Sequence, residues 1–103
     1  MPKPDDKPDD KIEVQNIASP GHKTCVDRAK YQAMRAALMQ VLPGDAPGLT
    51  VADAKAALLP HLDQTLFPGG EKAGWWLKCV QLDLEAKGVI ARAEKPPVRL
   101  FRM

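Results

Sequence analysis

The segment Pro68–Met103, PGGEKAGWWLKCVQLDLEAKGVIARAEKPPVRLFRM, leaves the chain few architectures to choose from. Ala73, Trp76, Leu77, Val80 and Leu84 recur at three- and four-residue spacing, the pattern of one apolar face on a helix of 3.6 residues per turn. Pro68 suits a first turn, where its missing N–H has no partner to lose, and Glu71 suits the positive end of the helix dipole. Lys87 followed by Gly88 is a stop signal: glycine takes a left-handed cap and the lysine meets the negative dipole end. Beyond it the period shortens to that of strands. Val89–Ala93 and Val98–Arg102 read as a hairpin, with Val98 and Leu100 on one side and Glu94, Lys95, Pro96 and Pro97 in the turn. The expectation is one continuous helix from Pro68, then a two-stranded ribbon.

Upstream, residues 1–11 repeat KPDD and contain no apolar residue after Met1, so nothing offsets the entropy of ordering them; a disordered tail is expected. Ile12, Val14 and Ile17 suggest a short strand, Ser19-Pro20-Gly21-His22 a type II turn, and Lys23–Val26 a returning strand. Asp27 is placed to cap a helix over Arg28–Leu42 whose core stripe is Tyr31, Met34, Leu38 and Val41. Pro43-Gly44 ends it, and a linker runs through Leu49. Thr50 and Asp53 form a variant capping box for a second helix, which Pro60 cuts short, with Val51, Ala54 and Leu58 facing inward. Leu62, Leu66 and Phe67 are expected to plug the core.

The helix ending LDLEAKGVIAR followed by a basic hairpin resembles the third helix and wing of winged-helix domains, on Leu84, Glu85, Lys87, Gly88, Val89 and Ile90. The stretches PGHKTCVDRAKYQAMRAAL, LPGDAPGLT, LFPGGEKAGWW and VQLDLEAKGVI are similar to a family of small bacterial proteins of winged-helix type and unassigned function, over roughly nine-tenths of the chain from about Ile12. The resemblance implies a fold and no established activity. Together the elements predict a mainly α fold with a little β (α+β): a winged helix-turn-helix over residues 12–103, with three helices, a C-terminal hairpin wing and an N-terminal β extension.

No leader-like apolar run or membrane-length segment is present, so the cytoplasm is the expected location, with no membrane partner and with Cys25 and Cys79 reduced and packed. Catalysis is not expected. The lone serine, Ser19, sits beside a turn, and the two histidines, His22 and His61, have no nucleophile or carboxylate arranged with them. His22-x-x-Cys25 with His61 and Cys79 lacks the spacing of a zinc site, and GGEKAG lacks the order of a phosphate-binding loop, so no metal or cofactor is predicted.

Two functional readings remain. The net charge of +2 arises in the last third of the chain, which carries seven basic and four acidic residues. Lys72, Lys78, Arg92, Lys95, Arg99 and Arg102 are the candidates for neutralising DNA phosphates without reading sequence. The second reading starts from a further stripe on the same helix, Trp75, Cys79, Leu82 and Ala86, nearly opposite the first. Lys72, Asp83 and Lys87 fall in one polar gap between the two stripes and Gly74, Lys78, Gln81 and Glu85 in the other. Covering a tryptophan of about 200 Å² at about 25 cal/mol per Å² is worth up to ~5 kcal/mol. Either the segment Ile12–Val26 folds over that side, or Trp75, Cys79 and Leu82 meet another protein or a second copy.

Overall fold

The computed structural model describes residues 11–19, 21, 23–93 and 96–103. The expected tail at 1–10, Pro20 and His22 of the expected type II turn, and Glu94 and Lys95 lie outside the described residues. Lys11, assigned to the tail, belongs to a strand.

Two strands open the described chain. β1 (Lys11–Gln15) and β2 (Lys23–Asp27) pair antiparallel, with Ile12 opposite Val26 and Val14 opposite Thr24. Alternation sends Ile12, Val14, Thr24 and Val26 to the inner face. Lys11, Glu13, Gln15, Lys23, Cys25 and Asp27 go to the outer face, and all six are exposed. Cys25, expected to be packed, is therefore an exposed thiol, because the strand parity that buries Val26 turns its neighbour outward.

α1 (Arg28–Val41) starts where Asp27 accepts a hydrogen bond from the Lys30 N–H at 3.0 Å. α2 (Val51–Leu58) starts where the Thr50 hydroxyl accepts from the Asp53 N–H at 3.1 Å. Both caps follow the side-chain chemistry that sequence predicts. Pro60 falls in a 3₁₀ turn, Leu59–His61, immediately after α2.

α3 (Ala73–Ala86) begins later than periodicity suggests. Pro68–Gly70 form a separate 3₁₀ turn, and Gly69, Gly70 and Lys72 all have positive φ, a backbone that no right-handed helix can include. Glu71 thus lies outside the helix. From Ala73 the helix runs unbroken through both tryptophans. At its end the Gly88 N–H donates to the Glu85 carbonyl and the Val89 N–H to the Leu84 carbonyl, the paired bonds of a Schellman motif around a glycine at φ +73°.

The second sheet exceeds the expected ribbon by one strand. β3 (Leu49–Thr50), β4 (Ile90–Arg92) and β5 (Arg99–Arg102) stand in the order β3-β5-β4, all antiparallel. β3 comes from the end of what reads as a linker; two residues are too short for strand periodicity to register. Val98 lies outside β5 and is exposed, whereas Leu100, expected to share its side, is fully buried in the central strand.

The core gathers Met34, Leu38, Leu42, Leu58, Leu62, Phe67, Leu77, Val80, Leu84, Ile90 and Leu100 from all three helices, the loops and the second sheet. Every residue of the first predicted α3 stripe is buried, and Leu62 and Phe67 plug the core as expected, with Leu66 half-buried. Val14 and Val26 join this core and hold the N-terminal hairpin against it.

Gly48 decides whether β3 can reach β5. A Cβ there would stand 1.9 Å from the Leu100 carbonyl oxygen, and φ is +86°. Gly69 shares the left-handed backbone at φ +62° but faces open space. Gly69→Ala should therefore cost about 1–2 kcal/mol from backbone strain alone. Gly48→Ala should cost about 3 kcal/mol or more, because β3 must also part from β5. Urea unfolding of the two variants checks this, and equal losses would refute the close approach.

Candidate interaction site

α3 positions the site, and a buried carboxylate positions the N-terminal hairpin beside it. Asp83 has no exposed surface. Its Oδ1 accepts the Gln15 N–H at 2.8 Å, and its Oδ2 accepts the Tyr31 hydroxyl and Lys87 Nζ, the latter at 2.9 Å. Lys87 Nζ also stands 5.9 Å from the centre of the Tyr31 ring. One carboxylate thus joins β1, α1 and the end of α3, and among the described residues no buried side-chain polar atom is left unpaired. The helical wheel places Asp83 in a polar gap between the two stripes; the hairpin and α1 close over that gap. Gln81 is likewise buried, and its amide donates to Glu85 at 3.0 Å.

The hairpin has a second tie, from the Ile17 N–H to the Leu82 carbonyl at 3.3 Å. Both ties sit in the C-terminal half of α3. Trp75 lies seven residues earlier, about 10 Å along the axis at 1.5 Å per residue. Cys79 and Leu82 are accordingly half-buried under the hairpin, while Trp75 stays 59% exposed. The fold thus covers part of the second stripe and leaves its large aromatic open.

Between hairpin and helix lies a cleft of about 450 Å³ whose apolar walls include Val14, Val26, Trp75, Cys79 and Leu82. Trp75 is held edge-to-face on Trp76 with centroids 5.0 Å apart, and Trp76 in turn meets Phe67 at 6.3 Å, so an exposed ring rests on buried ones. Burial, helped by the Asp83 charge, pushes the Cys79 thiol up, which favours the unreactive protonated form. Lys78 lines the cleft, and Lys55 Nζ lies 3.5 Å from where a Cβ on Gly74 would stand. Lys72 is exposed at the start of the helix.

The cations named for DNA do not share one surface. Lys72 immediately precedes α3 and Lys78 lies in its first half. Arg92 is at the other end, gripped by Glu85 through two hydrogen bonds, with Nη2 to Oε2 at 2.9 Å. That pairing raises the Arg92 pKa and neutralises its charge locally. Arg102 donates through Nε to the Leu42 carbonyl at 2.8 Å, Arg99 is half-buried beside β3, and Lys95 lies outside the described residues. Charge counting by segment misses the Glu85–Arg92 pair, which joins a helix to a strand.

Among the described residues no group of three or more histidine, cysteine or acidic side chains is arranged to hold a metal ion, and no helix is long and apolar enough to cross a membrane.

The Asp83 network was not visible in the sequence, although two signals pointed toward it. Tyr31 on a core stripe needs a partner for its hydroxyl, and Asp83–Lys87 has the spacing of a helical ion pair. The partner's identity depends on how α1 crosses α3.

The chain belongs to a family of unknown function (DUF6958), whose model matches residues 11–100. No curated protein and no solved structure matches it.

Burial first, then the hydrogen bond to Asp83, push the Tyr31 phenol well above the usual tyrosine value of about 10. Below about pH 10 both folded and unfolded chains keep this proton, so stability is unaffected. Above about pH 10 the unfolded chain loses it first, so stability falls with rising pH. Tyr31 is the only tyrosine, so absorbance at 295 nm reports it alone. The phenolate band should stay absent past the ordinary tyrosine range and appear only with loss of circular dichroism. A reversible rise centred near pH 10 in folded protein would contradict the buried pairing.

Proposed function

We propose that this family member is a non-catalytic, cytoplasmic winged-helix module that docks a partner protein in the cleft between its N-terminal hairpin and α3. The winged-helix reading draws support from the element order: α1, a short strand, α2, α3 and a hairpin, with β5 between β3 and β4. The observation that carries the docking reading is Trp75, a large aromatic exposed at an apolar cleft and backed by buried rings. Exposed tryptophans on rigid supports are favoured anchors of protein interfaces. Lys78 lines the cleft, Lys55 stands beside Gly74 in its wall, and neither makes an ion pair with a carboxylate among the described residues. The partner that complements this surface is a segment with an apolar side chain for the cleft and acidic residues for the lysines.

Selection of a displayed peptide library on the immobilised domain tests the reading. Enriched peptides should combine an apolar anchor with Asp or Glu. Trp75→Ala should weaken them at least tenfold, the scale of an interface anchor, while moving the unfolding midpoint little. Lys78→Glu should weaken them less. No enrichment, or binding that ignores Trp75, defeats the proposal.

Lys72 and Lys78, both exposed, favour a second reading, weak binding to the nucleic-acid backbone through helix three and the wing. With Arg92 held by Glu85, few phosphates would be neutralised. Titration with arbitrary duplex DNA should then show binding at low salt that disappears on raising the salt, with a shallow slope. Absence of binding at low salt excludes this reading.

A further inference from the structure

We infer that β2 is a self-complementary edge through which two copies of this chain join their N-terminal hairpins into one four-stranded antiparallel sheet. This inference rests on the strand edge of β2 and not on Trp75, although Thr24, Cys25 and Val26 of the same strand also border the cleft.

The argument begins with which strand edge is already occupied. The Gln15 N–H points at Asp83 and the Ile17 N–H at the Leu82 carbonyl, so β1 turns its outer edge to α3. β2 pairs only with β1, and among the described residues no strand lies on its opposite edge. Lys23, Thr24, Cys25 and Asp27 are all exposed. An open edge of this kind is a template for another strand.

Parity fixes which groups that edge presents. Because the Gln15 N–H leaves the ladder, the facing pair Gln15–Lys23 is a non-hydrogen-bonded one. Alternation makes Glu13–Cys25 and Lys11–Asp27 non-hydrogen-bonded as well, so the backbone N–H groups of Lys23, Cys25 and Asp27 point outward, toward the open edge.

The side chains then select the occupant. β2 reads Lys-Thr-Cys-Val-Asp, with a cation and an anion equally far from its middle. In antiparallel pairing with itself about Cys25, Lys23 faces the second copy's Asp27, and the second copy's Lys23 faces Asp27. Cys25 faces its own counterpart, and Thr24 faces Val26 on the inner side. Opposite charges directly across an antiparallel pair are favourable, whereas parallel in-register pairing would set lysine against lysine and aspartate against aspartate. The two-fold arrangement is isologous and closes at two chains, so it does not propagate into fibres. Lysine on an edge often serves to repel other strands. Here the aspartate at the matching distance converts that repulsion into a register. A five-residue strand is a small interface, so the dimer is expected to be of micromolar or weaker affinity.

Sedimentation equilibrium under reducing conditions, from micromolar to about 1 mM chain, provides the test. The weight-average mass should rise from 11.3 kDa toward twice that value. Lys23→Asp sets aspartate against aspartate at both ends and should raise the dissociation constant roughly tenfold or more. The exposed Lys23–Glu13 contact that it also removes, at 4.0 Å, contributes little to the fold. Cys25→Pro deletes an outward N–H and leaves the β1–β2 ladder intact, so it too should yield monomer. A third measurement does not depend on either variant folding. In Cys79→Ser, Cys25 is the one remaining cysteine, and a short bismaleimide should couple two chains through it. A monomer at every concentration, or a dimer unchanged in both folded variants and not coupled through Cys25, overturns the inference.

Discussion

A single buried carboxylate holds this fold's two halves together. An aspartate with no exposed surface is costly unless its oxygens are fully engaged, and Asp83 is engaged from three directions, by a strand N–H, a tyrosine hydroxyl and a lysine. Those donors come from β1, α1 and α3, so the charge is satisfied only when all three elements are in place. A two-stranded hairpin is marginal by itself in water. Here Val14 and Val26 give it an apolar seat, and Asp83 gives it a polar one with a defined position. Apolar burial alone would allow the hairpin to slide along the helix, whereas a directed hydrogen bond to a buried charge does not.

The cleft follows from where that anchor lies. Both hairpin ties are to Leu82 and Asp83, so the hairpin diverges from α3 toward Gly74 and Trp75. Cys79 and Leu82 are half covered and Trp75 is left open. The exposed indole is also supported from below, since it rests edge-on against Trp76, which meets Phe67. A side chain already ordered in the free protein loses little rotamer freedom when a partner covers it, which makes it a better anchor than a mobile one of equal area.

Electrostatics on the rest of the surface is quieter than composition suggests. Arg92 answers Glu85, Lys87 answers Asp83, and Arg102 is drawn to the end of α1 by the Leu42 carbonyl. At the opened end of α3, Lys78 lines the cleft and Lys55 stands beside Gly74. Apolar and cationic surface thus lie side by side, which suits a mixed apolar and acidic partner better than a bare polyanion.

The sequence by itself determined the elements whose causes lie within a few residues. Asp27 and Thr50 start α1 and α2, Gly88 stops α3, and the spacing of Trp76, Leu77, Val80 and Leu84 names the buried face. Caps and helical periodicity act over one or two turns, so they are legible without knowing what packs where. Local reasoning misjudged the start of α3, because left-handed backbone at Lys72 is a choice a lysine rarely makes and no residue type announces. Helical spacing also names Trp75, Cys79 and Leu82, but what covers each of them was decided by tertiary structure. Asp83 is buried by residues 52 and 68 positions away, Arg92 is neutralised across a helix–strand junction, and β3 exists because Gly48 lets it approach Leu100. A charge or an aromatic ring takes its role from what surrounds it. Those surroundings are set by how the hairpin and helices meet, and no spacing along the chain encodes that meeting.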